Sequence, residues 1–268
     1  MDKPLITLTT DFGTSDGYVA AMKATILSIA GDVPIVDISH SIAPQDVMEA
    51  AFVLQSSAPY FPAGTVHIVV VDPGVGTSRK SVGVSADGQY YVGPDNGIFT
   101  LALNGSRKTV VELDQTRFWR THNPSNTFHG RDIFSAVAAH LANGIQLDEV
   151  GTPIEELKPM HWALPISDDE GIQGWVVHVD HYGNCITNIS RKVLSESRRD
   201  RRVKCYVGNH IVEGIHSTYG GVATSEPVVL FNSVDFLEIA VNCGNASELM
   251  GLAKGSTISL LFQSERQE

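Results

Sequence analysis

The stretch VVVDPGVGTSRKS, residues 69–81, ends an apolar run on a carboxylate, turns through Pro73, Gly74 and Gly76, and delivers Arg79. Val66, Ile68, Val69, Val70 and Val71 read as a strand buried on both faces, which places Asp72 as a charge at the strand's carboxyl end. Ligands bind at that end in open α/β sheets, because helices cover the faces and leave a crevice there. Asp72 and Arg79 are therefore candidates for chemistry; the plainer alternative is a tight Pro-Gly turn with a solvated Arg79.

A second cluster is NPSNTFHGRD, residues 123–132. Asp132 in a first helical turn reads as dipole and cap chemistry, and Arg131 as a structural ion pair. His129 follows an aromatic and precedes a Gly, so its ring is the group aimed out of the loop toward a cleft. In TTDFGTSDGY, Asp11 follows a strand ending at Thr10, and Asp16 sits where it can cap the next helix. Two acidic turns of this kind can equally grip a ribose diol, since one carboxylate accepts two hydroxyl protons. A further cluster lies in VDHYGNCITN (179–188) and FNSVDFLEIAVNCGNA (231–246), where Asp180, Asn184, Asn188, Ser233, Glu238 and Asn242 accompany Tyr182 and Phe236. Aromatic plus amide suits a flat purine; alternatively Asn184 and Asn242 fill left-handed hairpin positions.

The elements that must position these groups change in character along the chain. LITLTT, PIVDIS and the Asp72 strand alternate with a helix in DGYVAAMKATILSIA, whose Val19, Met22, Ile26 and Ile29 share a face, and a helix from about Pro44 to Ser57 with Val47, Ala50, Ala51 and Leu54 inward. SVGVSA, QYYVG and TVVEL follow, then a helix in RDIFSAVAAHLANG that closes on Asn-Gly. This predicts an α/β domain with a mostly parallel sheet over 1–165. The polar PISDDEGIQG marks a boundary. Over 166–268, short strands with one brief helix signal at NASELMGLA predict a smaller all-β, barrel-like domain.

Composition narrows the class. A net charge of −11 repels a phosphate backbone, and the basic run SRRDRR (197–202) reads as a solvated loop or strand edge, so no nucleic-acid partner is expected. No segment approaches the ~18 apolar residues of a membrane helix, and MDKPLITLTTDFG has an acid in second place, so neither a membrane span nor a secretory signal is expected. Three widely spaced cysteines without CxxC suggest a reduced, cytoplasmic protein. Ten scattered histidines and the lack of calcium-loop spacing predict no metal, and neither GxGxxG nor GxxxxGK[ST] is present.

Taken in order, TLTTDFGTSDGYVAAMKA, VVVDPGVGTSRKSV, GPDNGIF, NTFHGRD, DHYGNCITNI and NSVDFLEIAVNCGNA resemble, essentially end to end, the S-adenosyl-L-methionine hydroxide adenosyltransferases, relatives of the fluorinase and chlorinase enzymes. The resemblance implies an α/β domain followed by a β-barrel-like one. It also implies a homotrimer with sites at subunit interfaces, a small-molecule substrate and no cofactor. The implied reaction is displacement at the ribose 5′ carbon by water, giving adenosine and L-methionine. Asp72, Arg79 and His129 match the family's water-activating set, with Arg79 and a protonated His129 stabilising an incipient hydroxide and Asp72 either orienting them or accepting the proton. By the same matching, Asp11 holds the ribose hydroxyls, and Asp16 and Asp180 face the methionine ammonium. Tyr182 and Asn184 form the adenine-side wall, Ser233 meets the methionine carboxylate, and the backbone near Asn242 and Ala246 meets the adenine edge. Halogenating relatives carry an aromatic in place of the Asp; VDPGVG and FHGRD place this chain on the hydroxide side. The rival readings are a nucleoside hydrolase, which needs a calcium-binding aspartate cluster, a non-catalytic S-adenosylmethionine or adenosine sensor, and a residual halogenase.

Overall fold

The computed structural model describes residues 4–160, 164–198 and 201–263; the first three residues of the N-terminal stretch and residues 199–200 of the basic run lie outside the described residues. The chain forms two compact units, the first ending at Met160. Met160 is held in the first unit: its amide donates to Thr100 Oγ1 (2.9 Å) and its side chain is buried against Gly97.

The first unit runs β1 (Ile6–Thr10), α1 (Tyr18–Ala30), β2 (Ile35–Ser39), α2 (Val47–Ser57), β3 (Val66–Val70), β4 (Ser81–Ala86), β5 (Gln89–Pro94), β6 (Lys108–Glu112), α3 (Ser135–Ala142) and β7 (Thr152–Pro153). Its seven strands lie in the order β2-β1-β3-β5-β4-β6-β7. Neighbours pair in parallel from β2 to β5 and antiparallel beyond, so β1, β2, β3, β5 and β6 share one direction. Apart from His67, β3 is apolar on both faces for a visible reason. Ile68 and Val70 pack with Met22 and Ile26 of α1 and Val137 of α3 on one side, while Val69 and Val71 pack with Ala50 and Leu54 of α2 on the other. Each such side chain contributes about 1.5–3 kcal/mol through burial.

Two helix starts differ from expectation. α2 begins at Val47, not near Pro44, because Gln45 takes a left-handed conformation (φ 66°) and the Asp46 carboxylate accepts the Glu49 amide (2.8 Å) as the N-cap. Asp16 does not cap α1: Gly17 occupies that position without a side-chain cap, and Asp16 is exposed.

His67 of β3 is fully buried, hydrogen-bonded at Nδ1 to Thr7 Oγ1 (2.7 Å) and stacked on Tyr91. Burial pushes its pKa from 6.5 down to about 4. The folded protein holds this ring neutral while the unfolded chain protonates it near 6.5, so the stability it confers is full above pH 6.5 and is lost as pH falls toward 4. The loss is on the order of 3 kcal/mol. Urea midpoints at pH 7 and pH 4 should fall further apart in the wild type than in His67→Gln; equal falls would contradict this.

The second unit runs β8 (Ile166–Ser167), β9 (Gly171–Val179), β10 (Cys185–Ser190), α4 (Arg191–Arg198), β11 (Arg202–Val207), β12 (His210–Glu213), β13 (Pro227–Phe231), β14 (Phe236–Val241), α5 (Ala246–Met250) and β15 (Thr257–Gln263). Its antiparallel sheet follows β12-β11-β15-β9-β10-β14-β13, with β8 on β9, and forms the nearly closed, barrel-like element expected. Ile172, Val176, Ile189, Leu237, Ile239 and Leu260 fill its core. α4 was not expected. Ser197 and Arg198 end that helix and Arg202 opens β11, so the basic run is neither a free loop nor a simple strand edge. Arg201 holds the junction by donating to the Arg198 (3.1 Å) and Ser197 (3.2 Å) carbonyls.

Candidate active site

At the carboxyl end of β3 the chain makes the expected turn, the Val75 amide donating to the Asp72 carbonyl (3.2 Å). The end of the strand is pinned by Asn96, whose Nδ2 donates to the Val71 carbonyl (2.9 Å). Arg79 returns to Asp72: its Nε lies 3.0 Å from both carboxylate oxygens and its Nη2 bonds Oδ2. Both side chains are almost wholly buried. Nη1 donates to Ser81 Oγ (2.8 Å), and the guanidinium lies over the Phe134 ring. Desolvated fork-and-carboxylate pairs of this kind hold geometry closely.

The remaining Arg79 contact is to His129: Nη2 lies 2.8 Å from Nδ1. Arginine can only donate, so Nδ1 accepts and carries no proton, and the ring's own proton sits on Nε2. Burial first, and then the Arg79 charge, lower the His129 pKa below 6.5 against the opposing pull of Asp72 and Asp132. The ring is therefore neutral at pH 7, which corrects the expectation of a protonated His129.

Two loops meet to make this arrangement. Gly76 is left-handed (φ 74°), and a Cβ there would run into the Asn126 carbonyl oxygen, so the Asp72 turn lies directly against the loop that carries His129. Gly76→Ala should cost about 2 kcal/mol, from backbone strain plus displacement of the Asn126 loop, seen as a lower denaturant midpoint at unchanged slope. A midpoint equal to the wild type's would show that the two loops can separate freely. His129 itself precedes a single π-helical turn, Gly130–Phe134, before α3; such wide turns are frequent at functional sites.

A cavity of about 410 Å³ opens over these groups, lined by Asp11, Phe12, Tyr18, Gln45, Asp72 and His129 among others. Asp11 Oδ2 accepts the Gln45 amide (2.8 Å). Phe12, Tyr18 and Phe128 form a mutual cluster with ring centroids 5.3–5.8 Å apart, and half of Tyr18 remains exposed. Asp11, Asp72, Arg79 and His129 are thus brought together in the first unit, whereas Asp16 stands exposed and does not line this cavity.

In the second unit Asp180 builds a turn. Its Oδ1 accepts the amides of Tyr182 and Asn184 (both 2.9 Å) and its Oδ2 accepts Asn184 Nδ2 (3.0 Å), leaving Tyr182 three-quarters exposed. The left-handed residue is Gly183, not Asn184; beside Asn242 it is Cys243. Asn242 Nδ2 donates to the Val222 carbonyl (2.9 Å). Buried Ala246 opens α5 behind its Asn245 cap, and the next amide, Ser247, donates to the Gly183 carbonyl (2.9 Å), which ties α5 to the 180–184 turn. Ser233 is exposed in the β13–β14 turn. Glu238 is buried and accepts Tyr219 Oη (2.7 Å), and burial raises its pKa. Among the described residues no cluster of His, Cys, Asp and Glu could hold a metal ion, and no helix is long and apolar enough to cross a membrane.

The N-terminal domain of the SAM hydroxide adenosyltransferases matches residues 6–151 and their C-terminal domain matches residues 174–259. The chain belongs to this SAM hydroxide adenosyltransferase family. An (R)-S-adenosyl-L-methionine hydrolase of Thermus thermophilus is 39% identical over 263 residues, covering 94% of this chain and 97% of the relative. A fluorinase of an Actinoplanes species is more distant, 27% identical across 96% of this chain and 97% of the relative. A solved structure, described as an uncharacterized conserved protein from Thermotoga maritima, aligns with a TM-score of 0.86 at 38% identity over 96% of this chain and 100% of that one.

The candidate site contains residues that the sequence patterns did not single out. Ser81 and Asn96, which fix Arg79 and the strand end, lie inside the motifs VVVDPGVGTSRKSV and GPDNGIF, but residue type alone gave neither a role. Phe12, Tyr18 and Phe128 flank named polar residues, and their repeated placement beside Asp11, Asp16 and His129 was the available clue to an aromatic wall.

Proposed function

We propose that this chain hydrolyses S-adenosyl-L-methionine to adenosine and L-methionine by attack of water at the ribose 5′ carbon. The observation that carries the reading is the Asp72–Arg79–His129 chain at the cavity, with His129 fixed as a neutral Nε2–H donor. The names of the relatives support the same reaction. The water oxygen bonds to C5′ as the C5′–S bond breaks, its electron pair leaving with sulfur as the neutral thioether of methionine; one water proton is released. The sulfonium is already a good leaving group, so the protein's task is to place the water and take its proton. His129 cannot be that base: Nδ1 is engaged by Arg79 and Nε2 already bears a proton. Its Nε2–H holds the attacking oxygen, Arg79 fixes both neighbours and stabilises developing negative charge, and Asp72 accepts the proton. This needs no cofactor.

Asp11 holds the ribose hydroxyls. Asp16 and Asp180 serve the methionine ammonium, with Asp180 also shaping the turn that presents Tyr182 and Asn184 to adenine. Ser233 takes the methionine carboxylate, and the backbone at Asn242 and Ala246 takes the adenine edge. We place the enzyme in the cytoplasm as a homotrimer with sites at subunit interfaces; the exposed Tyr18 beside the cavity supports an interface there. Steady-state assays should give equimolar adenosine and methionine, and Asp11→Ala should raise KM at least tenfold while changing kcat less. Release of adenine, or substrate bound with no turnover, would sink the reading.

A further inference from the structure

Asp132 lies within the π-helical turn that His129 precedes, is 1% exposed, and is a fully engaged carboxylate. Oδ1 accepts Arg120 Nε (2.6 Å) and Arg131 Nε (2.7 Å); Oδ2 accepts Arg131 Nη2 (2.8 Å) and the Ser125 amide (2.9 Å). A carboxylate has about four acceptor positions, and these bonds occupy all of them. Burial alone would raise its pKa, but the hydrogen bonds from Arg131, Ser125 and Arg120 outweigh burial and hold it well below the ordinary carboxylate value.

The groups it grips bracket His129. Ser125 begins the loop that passes Gly76, so the Asp132–Ser125 bond closes that loop into a ring with His129 on its return limb. Arg131 lies over the Phe128 ring (5.0 Å), and Phe128 packs edge-on to Phe12 and Tyr18. The Arg120 amide also donates to the Asp132 carbonyl (2.9 Å), joining the preceding segment to the same point. A helix cap needs only one of these bonds.

From this geometry we propose that Asp132 is a positioning residue for the reaction, holding the 125–131 loop so that His129 Nδ1 stays on Arg79 and Nε2–H points into the cavity. It does not touch the substrate, and it acts through His129. The role in catalysis rests on the hydrolase reading above, whereas the effect on the ring does not.

The test is ¹⁵N-histidine NMR of the full chain, with the His129 signal identified by its loss in His129→Gln, alongside steady-state kinetics for Asp132→Asn and Arg131→Ala. Asp132→Asn should replace the single Nε2–H tautomer with an averaged signal and lower kcat about tenfold or more, with KM within about threefold. Arg131 is partly exposed, so its variant keeps the fold if Asp132→Asn does not; it should shift the same signal and lower kcat about threefold. An unchanged His129 signal in the folded variants overturns the proposal, whatever the rates do. If the wild type turns over no S-adenosylmethionine, the functional reading falls while the NMR result still decides the positioning role.

Discussion

Replacing Arg79 with Ala lowers kcat by about 10²- to 10³-fold with a much smaller change in KM. The residue holds Asp72 through a fork and His129 through Nδ1, so its removal takes away charge stabilisation and both orientations at once. The variant also leaves the Asp72 carboxylate buried without its partner, a loss of about 3 kcal/mol or more. Arg79→Lys should recover little of the rate, since one ammonium cannot span Asp72, Ser81 and His129 as the guanidinium does. Near-wild-type turnover for either variant, measured by adenosine release, would remove Arg79 from the mechanism.

The second large effect belongs to His129. His129→Ala should lower kcat about 10²-fold, because the oxygen of the attacking water loses its fixed donor. The pH dependence is more specific. The working form is neutral, and burial with the Arg79 charge lowers its pKa below 6.5, so kcat/KM should be flat near pH 7 and fall as pH drops through a value under 6.5. Protonation at Nδ1 would set two cations against each other and break the 2.8 Å contact. His129→Gln, which cannot titrate, should lose that acid limb. A rate that climbs on acidification in the wild type would instead mean that imidazolium is the active form.

The sequence made the strand ends legible and the loops between them much less so. β3 could be read because two layers of helix demand apolar residues on both its faces, and the same logic put Asp72 at the ligand-binding end. Asp72, Arg79 and His129 were readable by type, but the direction of the Arg79–His129 hydrogen bond was not, and it reversed the expected charge of the ring. Asp132 looked like a cap because a first-turn acid usually is one; its hold on Ser125 and Arg120 depends on loops folding back, which no local pattern records. The start of α2 was misplaced for a related reason, since nothing in APQD announces that Gln45 turns left-handed. α4 was missed because a helix with a single buried residue, Leu194, leaves little apolar periodicity to read.

The central claim is that water attacks the 5′ carbon, and the most direct measurement is turnover of S-adenosylmethionine in ¹⁸O-labelled water with mass spectrometry of the nucleoside. The wild type should yield adenosine carrying one ¹⁸O at the 5′ position, formed far more slowly by Arg79→Ala. Adenosine without the label, or free adenine with the label on C1′ of the remaining ribosyl fragment, would contradict that claim.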